Sequence, residues 1–347
     1  MTGSMCWQGR IPIVPTVGTS EWVTLHGMAS APSPLSSADR IFIAGHRGLV
    51  GSALWRHFSS HGFNNLVGRT SEELDLRDAC ATAKFFAEVQ PDVVIDAAAM
   101  VGGIGANASR PATFFSDNLR IQVNLFDSAV ANGVRRLLFL GSSCIYPKQA
   151  KLPIREDALF TGPLEETNEG YAMAKLAGVA HIAAIRRQFE LPYICVMPTN
   201  LYGPGDNFNP RDCHVVPAMI RRFHSAVQDG ASQVTCWGTG RPRREFMYVD
   251  DLADACHFLL ESYDHEMPIN VGTGNELSIA DLATLVADIV GYRGDIQWDS
   301  HLPDGTHRKV LDVERINQLG WKARTPLDEG IRRTYDWFLA HQADFRD

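Results

Sequence analysis

The run Ile41-Phe-Ile-Ala-Gly45-His-Arg-Gly48-Leu-Val-Gly51-Ser-Ala-Leu-Trp-Arg-His-Phe58 constrains this chain more than any other segment. A short apolar stretch ends at Gly45, and glycines recur at 48 and 51. Leu49, Val50, Ala53, Leu54 and Phe58 then follow a helical period. This is a strand, a glycine turn and a helix. Glycines let the backbone turn tightly and approach a pyrophosphate, which the positive helix N-terminus attracts. Gly45, Gly48, Leu49, Val50 and Gly51 are therefore candidate dinucleotide contacts. The spacing is G-x-x-G-x-x-G rather than G-x-G-x-x-G, and an ordinary strand–helix turn can carry the same glycines. The strand before and the helix after favour the dinucleotide reading.

From Arg40 onward, short β-like runs alternate with helical stretches. Strands are expected at Leu66-Val67, Val93–Ala99, Arg136–Gly141 and Tyr193–Met197. Helices are expected at Asp78–Val89, Pro111–Asn132 and Tyr171–Phe189. Such alternation implies a doubly wound parallel sheet with right-handed crossovers, which binds ligands beyond its strand C-termini. The glycine turn, Ala97-Ala98-Ala99, Ser142 and Thr199-Asn200 all fall there. After Asn200 the texture changes to a loop, helices at 215–226, 250–260, 278–290 and 327–338, and short strands at 235–238 and 246–249. The expected fold class is α/β: a Rossmann-type doubly wound parallel sheet with a smaller C-terminal α/β substrate domain. Residues 39–205 form the dinucleotide domain, with 245–270 returning to it. Residues 206–244 and 271–347 form the substrate domain. Residues 1–38 are rich in Ser, Pro, Thr and Gly without a period. They read as a disordered leader, an appended remnant or the product of an upstream start, with Met28 as the alternative initiator.

Net charge is −8 and no basic run stands out, which argues against a nucleic-acid partner. No apolar stretch is long enough to span a membrane. The seven cysteines show no C-x-x-C or Cys/His cluster. They suggest reduced thiols in a cytoplasmic setting and no structural metal.

Two further segments carry chemistry: Leu140-Gly-Ser-Ser-Cys-Ile-Tyr-Pro147 and Tyr171-Ala-Met-Ala-Lys175. Positions i and i+4 share a helix face, so the Tyr171 phenol and Lys175 ammonium can address one site. A nearby cation is expected to lower the tyrosine pKa. Ser142 supplies a hydroxyl and Cys144 a thiol. Tyr and Lys meet at this spacing often by chance, and the glycine turn upstream gives the pair its weight. No acid closes the second strand, where Gly68-Arg69 stands instead. Arg47 and Arg69 can reach a ribose 2′-phosphate, which points to NADP(H).

With these segments, the chain resembles the extended short-chain dehydrogenase/reductases that act on nucleotide sugars, from about Arg40 to near its C-terminus. The resemblance is carried by Ala44–Gly51, Val101-Gly-Gly-Ile-Gly-Ala-Asn107, Gly141–Pro147, Met197-Pro-Thr-Asn-Leu-Tyr-Gly-Pro204 and Arg244-Glu-Phe246. It implies a GDP-sugar substrate: 3,5-epimerisation of GDP-4-keto-6-deoxy-D-mannose, then NADPH reduction of the 4-keto group to GDP-L-fucose, in a homodimer. It makes Ser142, Tyr171 and Lys175 the reductase trio, and Cys144 with His214 the epimerase acid/base pair. Most relatives carry Thr or another small residue at the Cys144 position. The resemblance also places Asp75-Leu76 at the adenine edge and Ala97, Ala98, Pro198, Asn200, Leu201 and His214 near the cofactor. Asn200, Arg222, Trp237, Arg244 and Lys309, with Ser142, would hold the sugar nucleotide. Many relatives carry a second basic residue where this chain has Ser71, which weakens the NADP preference.

Blander readings stand beside these. A cysteine after a strand is usually a small buried filler. A lone histidine is more often structural, and Cys213 beside His214 matches no motif. Arg222 and Arg244 can be surface ion pairs, and Trp237 can be core. Rival functions are another GDP-sugar reductase or epimerase such as a GDP-colitose synthase, an NAD-recycling nucleotide-sugar 4-epimerase, and a non-catalytic Rossmann sensor.

Overall fold

The computed structural model describes residues 34–342 apart from 211, 212 and 303. The expected leader falls on residues 1–33, outside the described residues, except for its last few. There Leu35 packs against the core and Asn65 donates to the Ala38 carbonyl at 2.9 Å.

The first half runs β1 (Ile41–Ala44), α1 (Leu49–Ser60), β2 (Leu66–Val67), α2 (Ala79–Val89), β3 (Val93–Asp96), α3 (Ile104–Ser109), α4 (Pro111–Ala131), β4 (Arg136–Leu140), α5 (Glu169–Phe189) and β5 (Ile194–Pro198). The second half runs β6 (Asn200–Tyr202), α6 (Val215–Gln228), β7 (Gln233–Trp237), β8 (Arg243–Tyr248), α7 (Val249–Ser262), β9 (Ile269–Val271), β10 (Glu276–Ser278), α8 (Ile279–Val290), β11 (Asp295–Asp299), β12 (Arg308–Lys309), α9 (Glu314–Gln318) and α10 (Leu327–Ala340).

The main sheet is parallel with order β2-β1-β3-β4-β5-β9. Its strand order reverses beside β1, where β2 lies on one side and β3 on the other, so the ligand crevice lies above the β1 and β3 C-termini. Alternate residues face opposite layers. Phe42, Val94 and Phe139 join α2, α4 and α5 through Phe86, Phe126 and Ile182. Ile43, Ile95 and Leu138 join α1 and α7 through Phe58, Leu252 and Leu259. Burying each such side chain contributes roughly 1.5–3 kcal/mol.

Helix starts follow the local chemistry. Asp78 caps α2 by accepting from the Cys80 and Ala81 amides, and Ser278 with Asp281 forms a capping box on α8. Strand β3 stops at Asp96 instead of running to Ala99. The Asp96 carboxylate accepts the Ala98 amide at 3.1 Å, a local turn that competes with the ladder. Helix α7 packs on α1, and β9 pairs with β5 at the edge of the main sheet. Strand β8 instead centres a smaller sheet with β10, β12 and β6. Beside it, β7 pairs with β11, and Phe223, Val286 and Ile331 form a third core.

Candidate active site

At the β1–α1 turn Gly45 has φ +75°, and a Cβ there would meet the Ala97 carbonyl at 2.8 Å. A Cβ on Gly51 would strike the Gly45 carbonyl at 2.1 Å, so helix and turn pack only because both are glycine. Gly48 is the N-cap of α1 and offers no side chain to its amides. The Leu49 and Val50 amides thus head the helix uncapped, beside Ala97 and Ala98 past β3. This donor set fits a dinucleotide pyrophosphate. Arg47 and Arg69 are both exposed at the mouth, and Arg69 lies 5.5 Å over the Phe85 ring. Two cations beside one turn suit a 2′-phosphate. The Asp75 carboxylate is taken by Arg77 at 2.8 Å, and Arg77 also reaches Asp117 at 3.0 Å. The Leu76 carbonyl accepts from Asn124 at 2.8 Å. These bonds fix the loop that the sequence assigns to the adenine edge.

The chemical cluster forms where β4 ends. Ser142 leads a short turn, and its hydroxyl accepts the Cys144 amide at 3.3 Å. Tyr146 in the same motif donates to Asn270 at 2.6 Å, which pins the turn to β9. Tyr171 and Lys175 come in from one face of α5. The Tyr171 phenol lies near enough to the Ser142 hydroxyl and the Cys144 sulfur for both to act on its titration. Lys175 is buried, donates to the Leu140 carbonyl at 2.7 Å and lies 4.6 Å over the Phe139 ring.

The expectation that Lys175 lowers the Tyr171 pKa is not met in this geometry. Burial pushes the phenol above its ordinary value, and the Cys144 sulfur adds to the rise while the nearby Ser142 hydroxyl opposes it. The lysine ammonium is spent on Leu140 and Phe139 instead. Burial also raises the Cys144 thiol, and Lys309 is the foremost cation opposing the rise. At rest this is a site of protonated acids.

His214 is the N-cap of α6, and desolvation of its ring lowers its pKa although the residue as a whole is exposed. Among the described residues no hydrogen bond joins its side chain to the Cys144 cluster. Asn200 donates to the Glu245 carbonyl at 2.7 Å. Pro198 and Leu201 flank the crossing from β5 to β6. Arg244 and Lys309 stand opposite each other in β8 and β12, near Glu165. Arg222 donates to the Thr235 carbonyl at 2.9 Å, two residues before Trp237 on β7, and Trp237 is 68% exposed. The structure therefore brings Ser142, Cys144, Tyr171, Lys175 and Lys309 together. Arg222 and Trp237 lie further out along α6 and β7.

Three groups escaped the sequence reading. Asp96 ends β3 fully buried; a carboxylate inside the apolar run Val93–Ala99 was its signal. Glu165 accepts from Lys148 at 3.3 Å and from Thr306 at 3.2 Å, facing the basic pair. Glu245, also fully buried, accepts the amides of Thr273, Gly274 and Leu311 at 2.6, 2.8 and 2.9 Å. Its place between Arg244 and Phe246 hid it.

The model of the NAD dependent epimerase/dehydratase family matches residues 41–272. The chain belongs to that family. Within the family it is 54% identical to the probable GDP-L-fucose synthase 1 of Oryza sativa subsp. japonica, over 86% of this chain and 92% of that one. It is 49% identical to the GDP-L-fucose synthase of Escherichia coli (strain K12), over 89% and 99%. Among solved structures, the GDP-L-fucose synthetase of Naegleria fowleri bound to NADP superposes with a TM-score of 0.85 at 28% identity, covering 92% and 99%.

Proposed function

We propose that this chain converts GDP-4-keto-6-deoxy-D-mannose to GDP-L-fucose with NADPH, by 3,5-epimerisation followed by 4-keto reduction. The observation that carries this reading is the placement of the Cys144 thiol in the same buried cluster as Ser142, Tyr171 and Lys175. A reductase alone needs no thiol there. The identities to GDP-L-fucose synthases support the same substrate.

NADPH supplies the hydride when bound. Leu49, Val50, Arg47 and Arg69 would hold its phosphates, and Lys175 its nicotinamide-side ribose. The protein's own task in reduction is to give a proton to the carbonyl oxygen. Tyr171, kept protonated by burial, is the donor, and Ser142 orients that oxygen. Epimerisation removes a carbon-bound proton beside the ketone and returns one to the opposite face. Cys144 and His214 come from separate segments and act as the acid/base pair. Lys309 favours the Cys144 thiolate, and the neutral His214 ring is the form a base requires. Negative charge then develops on the 4-oxygen, where Ser142 and Tyr171 already stand as donors. Arg244 and Lys309 would take the diphosphate, with Arg222 and Trp237 toward the nucleoside end. No helix among the described residues is long and apolar enough to cross a membrane. We place the enzyme in the cytoplasm, where NADPH is available.

The test is NADPH absorbance with GDP-4-keto-6-deoxymannose, and the product's stereochemistry by NMR. GDP-L-fucose is expected. A product with unchanged C3 and C5 would make the chain a simple 4-reductase.

A further inference from the structure

We propose that Asp96 is a positioning residue for Lys175: its buried carboxylate is the countercharge that keeps the lysine ammonium in place and charged beside Tyr171. This rests on the reading of Tyr171 and Lys175 as reductase groups. Asp96 pairs in register with Phe139 of β4, so the two side chains point to the same face of the sheet. The Phe139 ring carries the Lys175 ammonium at 4.6 Å, and the next carbonyl, Leu140, takes its hydrogen bond. Asp96 is 0% exposed; one carboxylate oxygen accepts the Ala98 amide at 3.1 Å. Among the described residues the other oxygen has no hydrogen-bond partner. A carboxylate so buried is strongly disfavoured unless an opposite charge compensates.

Lys175 is the cation that answers it. Burial raises the Asp96 carboxyl to about 6 and Lys175 opposes the rise, so Asp96 is ionised at neutral pH. In return Asp96 is the foremost group holding Lys175 up against burial, ahead of Cys144 and Cys195. From α4 the neighbour is uncharged: Gln122 meets Phe139 at Gly178, where a Cβ would lie 2.6 Å from each. The two acids on that helix turn to other partners, Asp117 to Arg77 and Arg120 and Asp127 to His181 on α5. Around Tyr171 the groups are Cys144, Ser142 and Asp96, and Asp96 raises the phenol. Removing the Asp96 charge therefore lowers both Lys175 and Tyr171. Whichever of them sets the alkaline limb of the reductase, that limb moves to lower pH.

The experiment uses the full chain with Asp96→Asn, which keeps an acceptor for Ala98, and Asp96→Leu, which removes charge and polarity together. The turnover number and sugar KM are followed against pH by NADPH consumption, with Tyr171→Phe as control. Both Asp96 variants are expected to move the alkaline limb of turnover down by roughly one unit or more, with KM little changed. An inactive Tyr171→Phe beside folded Asp96 variants whose limb superimposes on wild type would overturn the role of Asp96 alone. An active Tyr171→Phe would overturn the reading beneath it.

Discussion

Cys144 is one sulfur placed among Ser142, Tyr171 and Lys175, to which the proposed reading gives a different reaction. Burial keeps it protonated and Lys309 pulls it toward thiolate. Serine in its place removes a base whose ordinary pKa is about 8.5, and a hydroxyl is far weaker. Cys144→Ser should slow solvent-deuterium entry at C3 and C5 by orders of magnitude. The Ser142, Tyr171 and Lys175 groups remain, so slow reduction of unepimerised sugar to GDP-rhamnose or GDP-6-deoxytalose should persist. Undiminished deuterium entry would pass the base role to another group, Cys213 first. Arg69 gives a second test. A charged hydrogen bond to the 2′-phosphate contributes about 1.5–3 kcal/mol. Arg69→Ala should therefore weaken NADPH roughly ten- to a hundredfold and leave NADH nearly unaffected. Equal weakening of both cofactors, measured by fluorescence titration, would remove Arg69 from the phosphate. That Ser142 and Cys144 would meet Tyr171 and Lys175 was legible because each pair forms a short local motif at a strand end or on a helix face. The direction of the Tyr171 shift was not, because it depends on where β4 places the Leu140 carbonyl and the Phe139 ring.

At the scale of elements, α1 and α7 meet through histidines. His57 Nε2 and His257 Nδ1 are 3.0 Å apart, and the His57 and His61 rings stack at 4.0 Å. Desolvation, and then the two neighbouring histidines, lower His57 from 6.5 to about 4. A folded-state pKa below the unfolded value means protonation favours the unfolded chain. The stability this group contributes is present above pH 6.5 and is lost as pH falls toward 4. The melting midpoint should decline across that window in scanning calorimetry, and His57→Phe should flatten part of the decline. An identical slope in the variant would exclude His57 as its source. Long periodic elements such as α4 and β4 could be read from the chain within a residue or two. Strand β12 could not, because two charged residues have no period. Arg308 and Lys309 become a strand only by pairing with Arg243 and Arg244. Helix α3 was likewise hidden in a glycine-rich segment.

Across the whole molecule, the described residues leave an apolar face exposed on α4 and α5. Phe115 and Val123 on α4 and Met173 on α5 are 38%, 41% and 42% exposed, on two helices packed together. We expect that face to pair with its copy about a two-fold axis. Sedimentation at micromolar concentration should give a dimer, and Val123→Glu with Met173→Glu should shift it toward monomer. A wild-type monomer would refute the pairing. The parallel sheet and its ligand edge could be anticipated from the alternation of strands and helices. The smaller sheet could not, since β6, β8 and β12 are distant in sequence. That sheet also limits how such chains can be recombined. The polypeptide leaves β5 at Pro198 and enters β6 at Asn200, with a single residue between them. Glu245 accepts amides from Thr273, Gly274 and Leu311, while its own carbonyl receives Asn200. A chimera that took its cofactor half from one parent and its sugar half from another, joined at this crossing, would keep Asn200, Glu245 and its donors together, but the sugar half also carries β9 and α7, which pair with β5 and pack on α1 of the other parent. Shuffling by halves is thus poorly suited to this fold, and new sugar specificity is better sought by exchanging the loops that follow β6 and β11.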